Sequence, residues 1–588
     1  MPGRKLVSMV LGTCLCAAIG GCEAFKNGWP FKGDAFGKPP AGAAASTQPI
    51  AVPPHVAGTV GEYARLVGGT DLLVQGYGLV VGLGTNGSSE VPPQIKEYML
   101  KYLGTKKIFS HIEGGGGVSP SQVLQDLDTA VVLVAGNIAP GAPEGTGFDV
   151  YVSALPQTST RSLDGGILMP IELHLAVGGI AMPGGPSKAL AVAGGSIFIN
   201  PFLDAAQQTE QVKLRAGRIP GGGKVAVARP VRLQLIRPDY ALCDLLQRRI
   251  NARFSNQGAT KVANALNPAE IALVIPRACR DDYAHFLALI THLPLRSGPG
   301  EWEMHAREVA KAMELPTARH EELALVWEAM GRQVVPVLRP LYTSRNPPTA
   351  FWSGVAGMRL GDDMAADVVI RFATVAGSAI QLFAIEELGR HPMVTRAAGT
   401  LRQLVDDDNE LVRIAAYDAL SRRGDTSVIA RVETSPEFKL DLVTSQKGYV
   451  IYALQTGQPR IVLFGKNMTV TAPIFFSSPD DLVTINANAA GDKLTVFRKI
   501  PRSGKVSDPF VMEPYVRTLA EKLGAPPRPG ENGQIMGMGL TYSQVIGVLQ
   551  RLCKENDINA KLVLQPLPGV QRIYSDVITT GRPDMPGP

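Results

Sequence analysis

The spacing of apolar residues changes repeatedly along the chain, and each change predicts a different element. Gly76-Tyr77-Gly78-Leu79-Val80-Val81-Gly82-Leu83-Gly84 is an apolar run bounded by glycines, which predicts a buried strand or hairpin. Ile95, Tyr98, Met99 and Leu103 recur at helical spacing. Thr129 to Val134 is a continuous apolar strand, whereas Phe148 to Ser153 alternates like a strand with one wet face. Ala189 to Ile199 is strand-rich again. Arg237-Pro238-Asp239-Tyr240 carries helix-start signals, and Ala241, Leu245, Leu246, Ile250 and Phe254 are the expected apolar face of that helix. Ile271 to Ile275 predicts a strand and Tyr283 to Thr291 a short helix.

The period turns helical from residue 300. Trp302–Met313, Glu321–Met330, Ala379–Leu388 and Val394–Leu404 have helix composition. An acidic turn, Asp406-Asp407-Asp408, precedes a further helix, where negative charge suits the N-terminal dipole. After 435 the pattern is strand-like again in Tyr449–Tyr452, Arg460–Phe464, Leu482–Ile485 and Leu494–Phe497. Turn residues separate these runs, which predicts one small antiparallel sheet. Two amphipathic helices follow, Pro514–Leu523 and Leu540–Lys554, the latter with Val545, Leu549 and Leu552 as its core stripe. The expectation is a multidomain α+β chain. It has a mixed α/β domain over 59–297, a helical domain over 300–432, a small β domain with C-terminal helices over 435–580, and a loose tail over 581–588.

The first 21 residues change the picture from soluble domain to exported protein. Arg4 and Lys5 precede a short apolar stretch, Leu6 to Ile19, which is too short to span a bilayer and reads as a signal peptide. Ile19-Gly20-Gly21-Cys22 resembles a bacterial lipobox, so Cys22 is the expected lipidation site. Each buried CH₂ adds about 0.8 kcal/mol, so several acyl chains anchor a protein that one chain would not. Glu23 follows, not the Asp that retains enteric lipoproteins in the inner membrane, which points to the outer membrane. Residues 22–58 then mix Pro, Gly, Ala and Ser without periodicity and read as a tether.

Composition adds two bounds. The formal charge is +6, and it falls to about +4 when Arg4 and Lys5 leave with the signal. No basic block is interleaved with aromatics, so nucleic acid is not an expected partner. Beside Cys22, the mature chain carries Cys243, Cys279 and Cys553. Cys243 and Cys279 could form a disulfide in an oxidising compartment or remain buried thiols, and spacing does not decide between them.

The motifs that would signal catalysis or a cofactor are incomplete. Gly76 to Gly87 lacks the Gly-Lys-Ser/Thr closure of a P-loop. His320-Glu321-Glu322-Leu323-Ala324 has alanine where a zinc-protease helix needs its second histidine. No catalytic, metal or cofactor residue is assigned.

The order of segments resembles the flagellar basal-body P-ring protein family. The matching pieces are Gly76–Leu83, Phe148–Ser153, Ser162-Leu163-Asp164-Gly165-Gly166-Ile167-Leu168, Gly217-Arg218-Ile219-Pro220-Gly221-Gly222, Arg237–Tyr240 and Ile250–Phe254. The resemblance implies a periplasmic, non-enzymatic subunit that self-associates into a ring around the flagellar rod. A lipid-anchored binding or scaffold module using the same fold outside the flagellum is the alternative. Two charges depart from the family: Asp164 stands at a basic position, and Asn86-Gly87-Ser88-Ser89 replaces an acidic one. Glycine-rich turns let backbones approach closely. Gly84, Thr85, Asn86 and Gly87, with Ser162, Leu163, Asp164, Gly165 and Gly166, are therefore the expected subunit contacts. The stretch from Asp406 to Leu420 resembles the second helix of a HEAT repeat, which assigns the helical domain to partner recruitment.

Overall fold

The computed structural model describes residues 57–567 except 107–118, 177–187, 204–207, 256–260, 281, 297, 299, 433–434, 479–480, 490, 500–505 and 530–534. The expected signal peptide, Cys22, the expected tether up to residue 56 and the expected tail lie outside the described residues.

The first ten strands are β1 (Ala64–Val67), β2 (Leu72–Val81), β3 (Thr129–Ile138), β4 (Gly147–Ala154), β5 (Ile167–Leu175), β6 (Ala191–Ser196), β7 (Ala216–Val225), β8 (Val231–Leu235), β9 (Ala263–Asn267) and β10 (Glu270–Leu273). Six of them close into an antiparallel barrel in the order β2-β3-β4-β7-β6-β5. Closure leaves no unpaired strand edge in the barrel wall. β2 and β3 pair without a slip from Leu72↔Ile138 to Val81↔Thr129. Val74, Val80, Val132, Val134, Val150, Val152, Leu168 and Ile171 fill the interior. Outside β2 and β3, Tyr77, Leu79 and Val131 pack under Met99 and Leu103 of the Pro93–Lys106 helix. These two strands are buried on both faces, so their sequence is continuously apolar. β4 is covered on one face and alternates.

The remaining four strands form a separate antiparallel sheet in the order β1-β8-β10-β9. The helices Tyr240–Phe254 and Tyr283–Thr291 cover it. Asp239 caps the first helix by accepting from the amides of Ala241 and Leu242 at 2.7 and 3.0 Å. Its buried side chains are Cys243, Leu246 and Ile250, while Leu245 and Ala241 are exposed, so the apolar face is rotated from the expected one. The reason is Cys243, which serves here as a small hydrophobe. Its Sγ lies 3.4 Å from the Asn267 carbonyl. Cys243 and Cys279 are both free thiols, so the disulfide between them is not formed.

The helical block contains Glu301–Met313, His320–Met330, Pro347–Arg359, Asp363–Thr374, Gln381–Arg390, Arg396–Leu404 and Glu410–Arg423. Asn409, rather than the acidic turn before it, caps the last of these by accepting from the Leu411 amide at 3.0 Å. The Pro347–Arg359 helix was not legible in sequence because Pro347, Pro348, Gly354 and Gly357 look like breakers. The prolines occupy the first turn, where no amide partner is needed. Gly357 lets the Tyr342 ring and Ala365 approach the helix where a Cβ would collide with both.

The block does not end at residue 432. Ile429–Val432 is β11, an edge strand of the following sheet. The further strands are β12 (Lys439–Val443), β13 (Val450–Ala453), β14 (Arg460–Phe464), β15 (Ile474–Ser477), β16 (Val483–Ala487), β17 (Leu494–Arg498), β18 (Phe510–Met512), β19 (Arg528–Pro529), β20 (Ile535–Met536) and β21 (Lys561–Leu564). They do not make the single antiparallel sheet expected. A five-stranded mixed sheet runs β11-β12-β14-β13-β21, with β12/β14 and β13/β21 parallel. A four-stranded antiparallel sheet runs β15-β16-β17-β18, and β19 pairs with β20 alone. The mixed sheet is buried on both faces, which erases the alternation that would separate it from the other. Val443, Val450, Tyr452, Val462 and Phe464 join the core of the helical block. Leu440, Ile451, Ala453, Ile461 and Leu463 join a second core with the helices Val516–Gly524 and Tyr542–Lys554. No helix among the described residues is long and apolar enough to cross a membrane.

The cores interlock across the expected boundaries. Leu325 and Ala329 of the helical block complete the core built by Leu246, Ile250 and Ile290. Residues 297–300 therefore do not separate two independent interiors.

Candidate assembly surface

The two turns singled out in sequence meet at one end of the barrel. After β2 the chain returns along residues 127–129. The amides of Leu83, Gly87 and Ser88 donate to the carbonyls of Asp128, Leu127 and Thr129 at 3.0, 3.0 and 2.8 Å. The Gly84 amide donates to Asp128 Oδ1 at 2.7 Å. Gly87 has no substitute here, because a Cβ would fall inside contact with the carbonyl oxygens of Thr129 and Leu127. The turn is tied to residues 159–161 by three bonds. Arg161 donates its amide to the Asn86 carbonyl at 2.8 Å, Ser88 and Ser159 share a hydroxyl bond at 2.9 Å, and the Ser159 amide donates to Glu90 at 2.8 Å.

Burial sorts the nine expected contact residues. Gly84, Thr85, Asn86 and Asp164 are exposed, and Ser162 and Gly165 are half-buried. Gly87, Leu163 and Gly166 are buried. Leu163 belongs to the barrel interior, so these three hold the turn together and cannot meet a neighbouring subunit.

The second turn already has a partner within the chain. Ser543, in the first turn of the Tyr542–Lys554 helix, donates its hydroxyl to Asp164 Oδ1 at 2.9 Å and accepts the Ile199 amide at 3.2 Å. The Gln544 side chain sits against Gly165. Gln544 also completes a capping box with Thr541, which fixes the helix start at this spot. Beside it, the Phe198 and Tyr542 rings lie 5.4 Å apart, and the Tyr542 hydroxyl donates to the carbonyls of Leu454 and Arg460 at 2.8 and 2.9 Å. Asp149 of β4 accepts from the amides of Gly221 and Gly457 at 2.7 and 2.8 Å. Burial pushes the Asp149 pKa up, and those two amides and Arg218 offset part of the rise. The negative charge at Asp164 thus has a local use in latching the C-terminal helix to the barrel. Sequence reasoning missed this seam, although Thr541-x-x-Gln544 is a readable capping signal.

A second junction is ionic. Arg359 is buried and bonds Glu328 at 3.0 Å and Glu387 at 2.8 Å. His285, on the barrel side of residue 297, bonds Glu328 at 2.8 Å. Burial pushes both carboxyls up, but Arg359 dominates and holds them below the usual carboxylate range. Among the described residues, no group of three or more His, Cys, Asp or Glu side chains is arranged to hold a metal ion.

This architecture is a closed-barrel scaffold with loops braced by backbone bonds and a large region latched to its end. The family of the flagellar P-ring protein matches residues 60–301, and that stretch is a P-ring-family region. Similar proteins include the flagellar P-ring proteins of Anaeromyxobacter sp. (strain K), 32% identical over 249 residues, and of Rhizobium johnstonii, 32% identical over 247 residues. That of Thermotoga petrophila is 29% identical over 245 residues. Each match covers 40% of this chain and, in that order, 60%, 59% and 66% of the relative. The chain thus spans about 60% of the length of the first two relatives. A role outside the flagellum gains no support from these relatives.

Proposed function

We propose that the protein is a non-enzymatic structural subunit that self-associates into a ring in the bacterial cell envelope, as flagellar P-ring proteins do around the rod. The observation that carries this reading is the P-ring-family region at 60–301, folded as the closed barrel and its flanking sheet. The same relatives and the signal-like start of the chain support a periplasmic placement. A lipid on Cys22 would add an anchor in the outer membrane, with residues 23–58 as the spacer.

The division of labour differs from a simple fusion. The exposed Gly84–Asn86 turn remains open to a neighbouring copy, whereas the 162–166 turn is engaged by Ser543 and Gln544. Ring contacts are heterologous, one patch meeting a different one. We assign the first turn to such a contact and the second to the latch. The helical block, with its HEAT-like pairing, presents a surface to rod or envelope partners.

The test is the mass of the full mature chain by light scattering over a concentration series, with electron microscopy of the same samples. Closed rings or their arcs are expected at high concentration. A chain that stays monomeric throughout, with and without its lipid, refutes the reading. Palmitate labelling that persists unchanged in Cys22→Ala would remove the anchor while leaving the ring.

A further inference from the structure

A cleft of about 120 Å³ opens where the Tyr240–Phe254 helix meets the end of the His320–Met330 helix and the 293–296 connector. Arg249, Arg253 and Arg296 line it beside Trp302, Met330 and Gln333, and no lining side chain is acidic. Arg249 and Arg253 stand one turn apart on one helix face, so their charges repel unless a counter-charge is present.

Bonds within the protein use only part of this donor set. Arg253 donates Nε and Nη2 to the carbonyls of Ala329 and Glu328 at 2.8 and 2.9 Å, capping the end of that helix. Arg249 donates Nη2 to the Pro294 carbonyl at 3.1 Å, and its buried Nε has no hydrogen-bond partner among the described residues. Burial pulls the Arg249 pKa down, and no carboxylate is near enough to oppose the shift. Glu328 of the adjoining helix pairs with Arg359 and His285 and also supports the Arg253 charge, but it does not reach Arg249. A desolvated guanidinium without an anion is costly, and the planar fork of arginine matches carboxylate and phosphate.

We propose that this cleft binds an oxyanion, a carboxylate or phosphate group held by Arg249 and Arg296 with Trp302 and Met330 as its apolar wall. The volume admits one oxyanion group, carried by a small anion or by one acidic side chain of a partner. These sources share the chemistry and separate by experiment.

The test is calorimetric titration of the full mature chain with three probes: inorganic phosphate, citrate and a short polyglutamate peptide. At least one binds, and affinity falls as salt rises. Binding of phosphate or citrate marks a small-anion site, and binding of the peptide alone marks a partner's acidic segment. The double variant Arg249→Gln/Arg296→Gln weakens binding by about tenfold or more, as expected for loss of two charge-assisted contacts. Arg296→Gln alone, a change to an exposed side chain, weakens it to a smaller extent and leaves the thermal transition in place. Arg248→Gln is the control, because that exposed arginine on the same helix already pairs with Asp244 at 2.8 Å. Binding unchanged in the double variant, equal weakening by Arg248→Gln, or no binding of any probe overturns the proposal.

Discussion

The barrel and the helical block reach a unique structure by different means. The barrel interior is valine, isoleucine, leucine and alanine, and its identity rests on backbone register and closure. The helical block carries charge inside: Arg359, Glu328 and Glu387 sit among Trp327, Phe351 and Leu388. Such a network is weak evidence for net stability, because desolvation offsets the attraction. It does restrict how helices stack, since any other packing strands a charge. Closed sheets need no such device, because a slip of register exposes the whole apolar face. The lesson is that polar cores appear here where helices lack another way to fix their order.

The largest expected effect breaks that contrast on the helical side. Arg359→Met leaves Glu328 and Glu387 buried without their cation and should cost about 3–5 kcal/mol in denaturant unfolding. A loss below about 1 kcal/mol would mean that the network specifies nothing. On the barrel side, Leu168→Ala opens a cavity at a fully buried position and should cost about 2–4 kcal/mol. Its cost should not depend on pH, whereas that of Arg359→Met should shrink in acid as the two carboxyls become protonated.

Asp418 sharpens the comparison through pH. Burial raises its pKa to about 6, against partial offsets from Arg422 and the Tyr452 hydroxyl, which donates at 3.2 Å. An acid with a raised folded pKa binds its proton more tightly folded than unfolded. Stability therefore falls as pH rises from the unfolded value through about 6, and is regained as pH drops. Asp418→Asn should remove this slope, about 3 kcal/mol between acid and neutral pH. Parallel stability curves for the two proteins would show that the carboxyl is solvated. The smallest effect belongs to the seam. Ser543→Ala removes one hydroxyl from Asp164 and the Ile199 amide and should cost about 1 kcal/mol, read by faster amide exchange at Ile199.

What could be read from sequence followed the same divide. β2, β3 and β4 were legible because pattern and pairing coincide within each strand. The Tyr283–Thr291 helix matched its expected limits. The Pro347–Arg359 helix was hidden because its Gly357 packs against the Tyr342 ring, a partner that no local window contains. The two C-terminal sheets merged for a related reason: β12, β13 and β14 are covered on both faces by different cores. Of the site, the two glycine turns were found, but which of their residues face outward was not. Leu163, Gly166 and Gly87 look like turn residues in sequence and are interior in the fold. Ser543 was invisible because its partner Asp164 lies far away in the chain.

The central claim is that this chain occupies a ring built like the flagellar P ring, with its C-terminal region latched to the barrel. The direct measurement is gold labelling of a C-terminal tag on basal bodies isolated from the source bacterium, viewed by electron microscopy. The account predicts label at the P-ring position on every basal body, lost together with the ring when the gene is deleted. Basal bodies with an intact P ring and no label would contradict it.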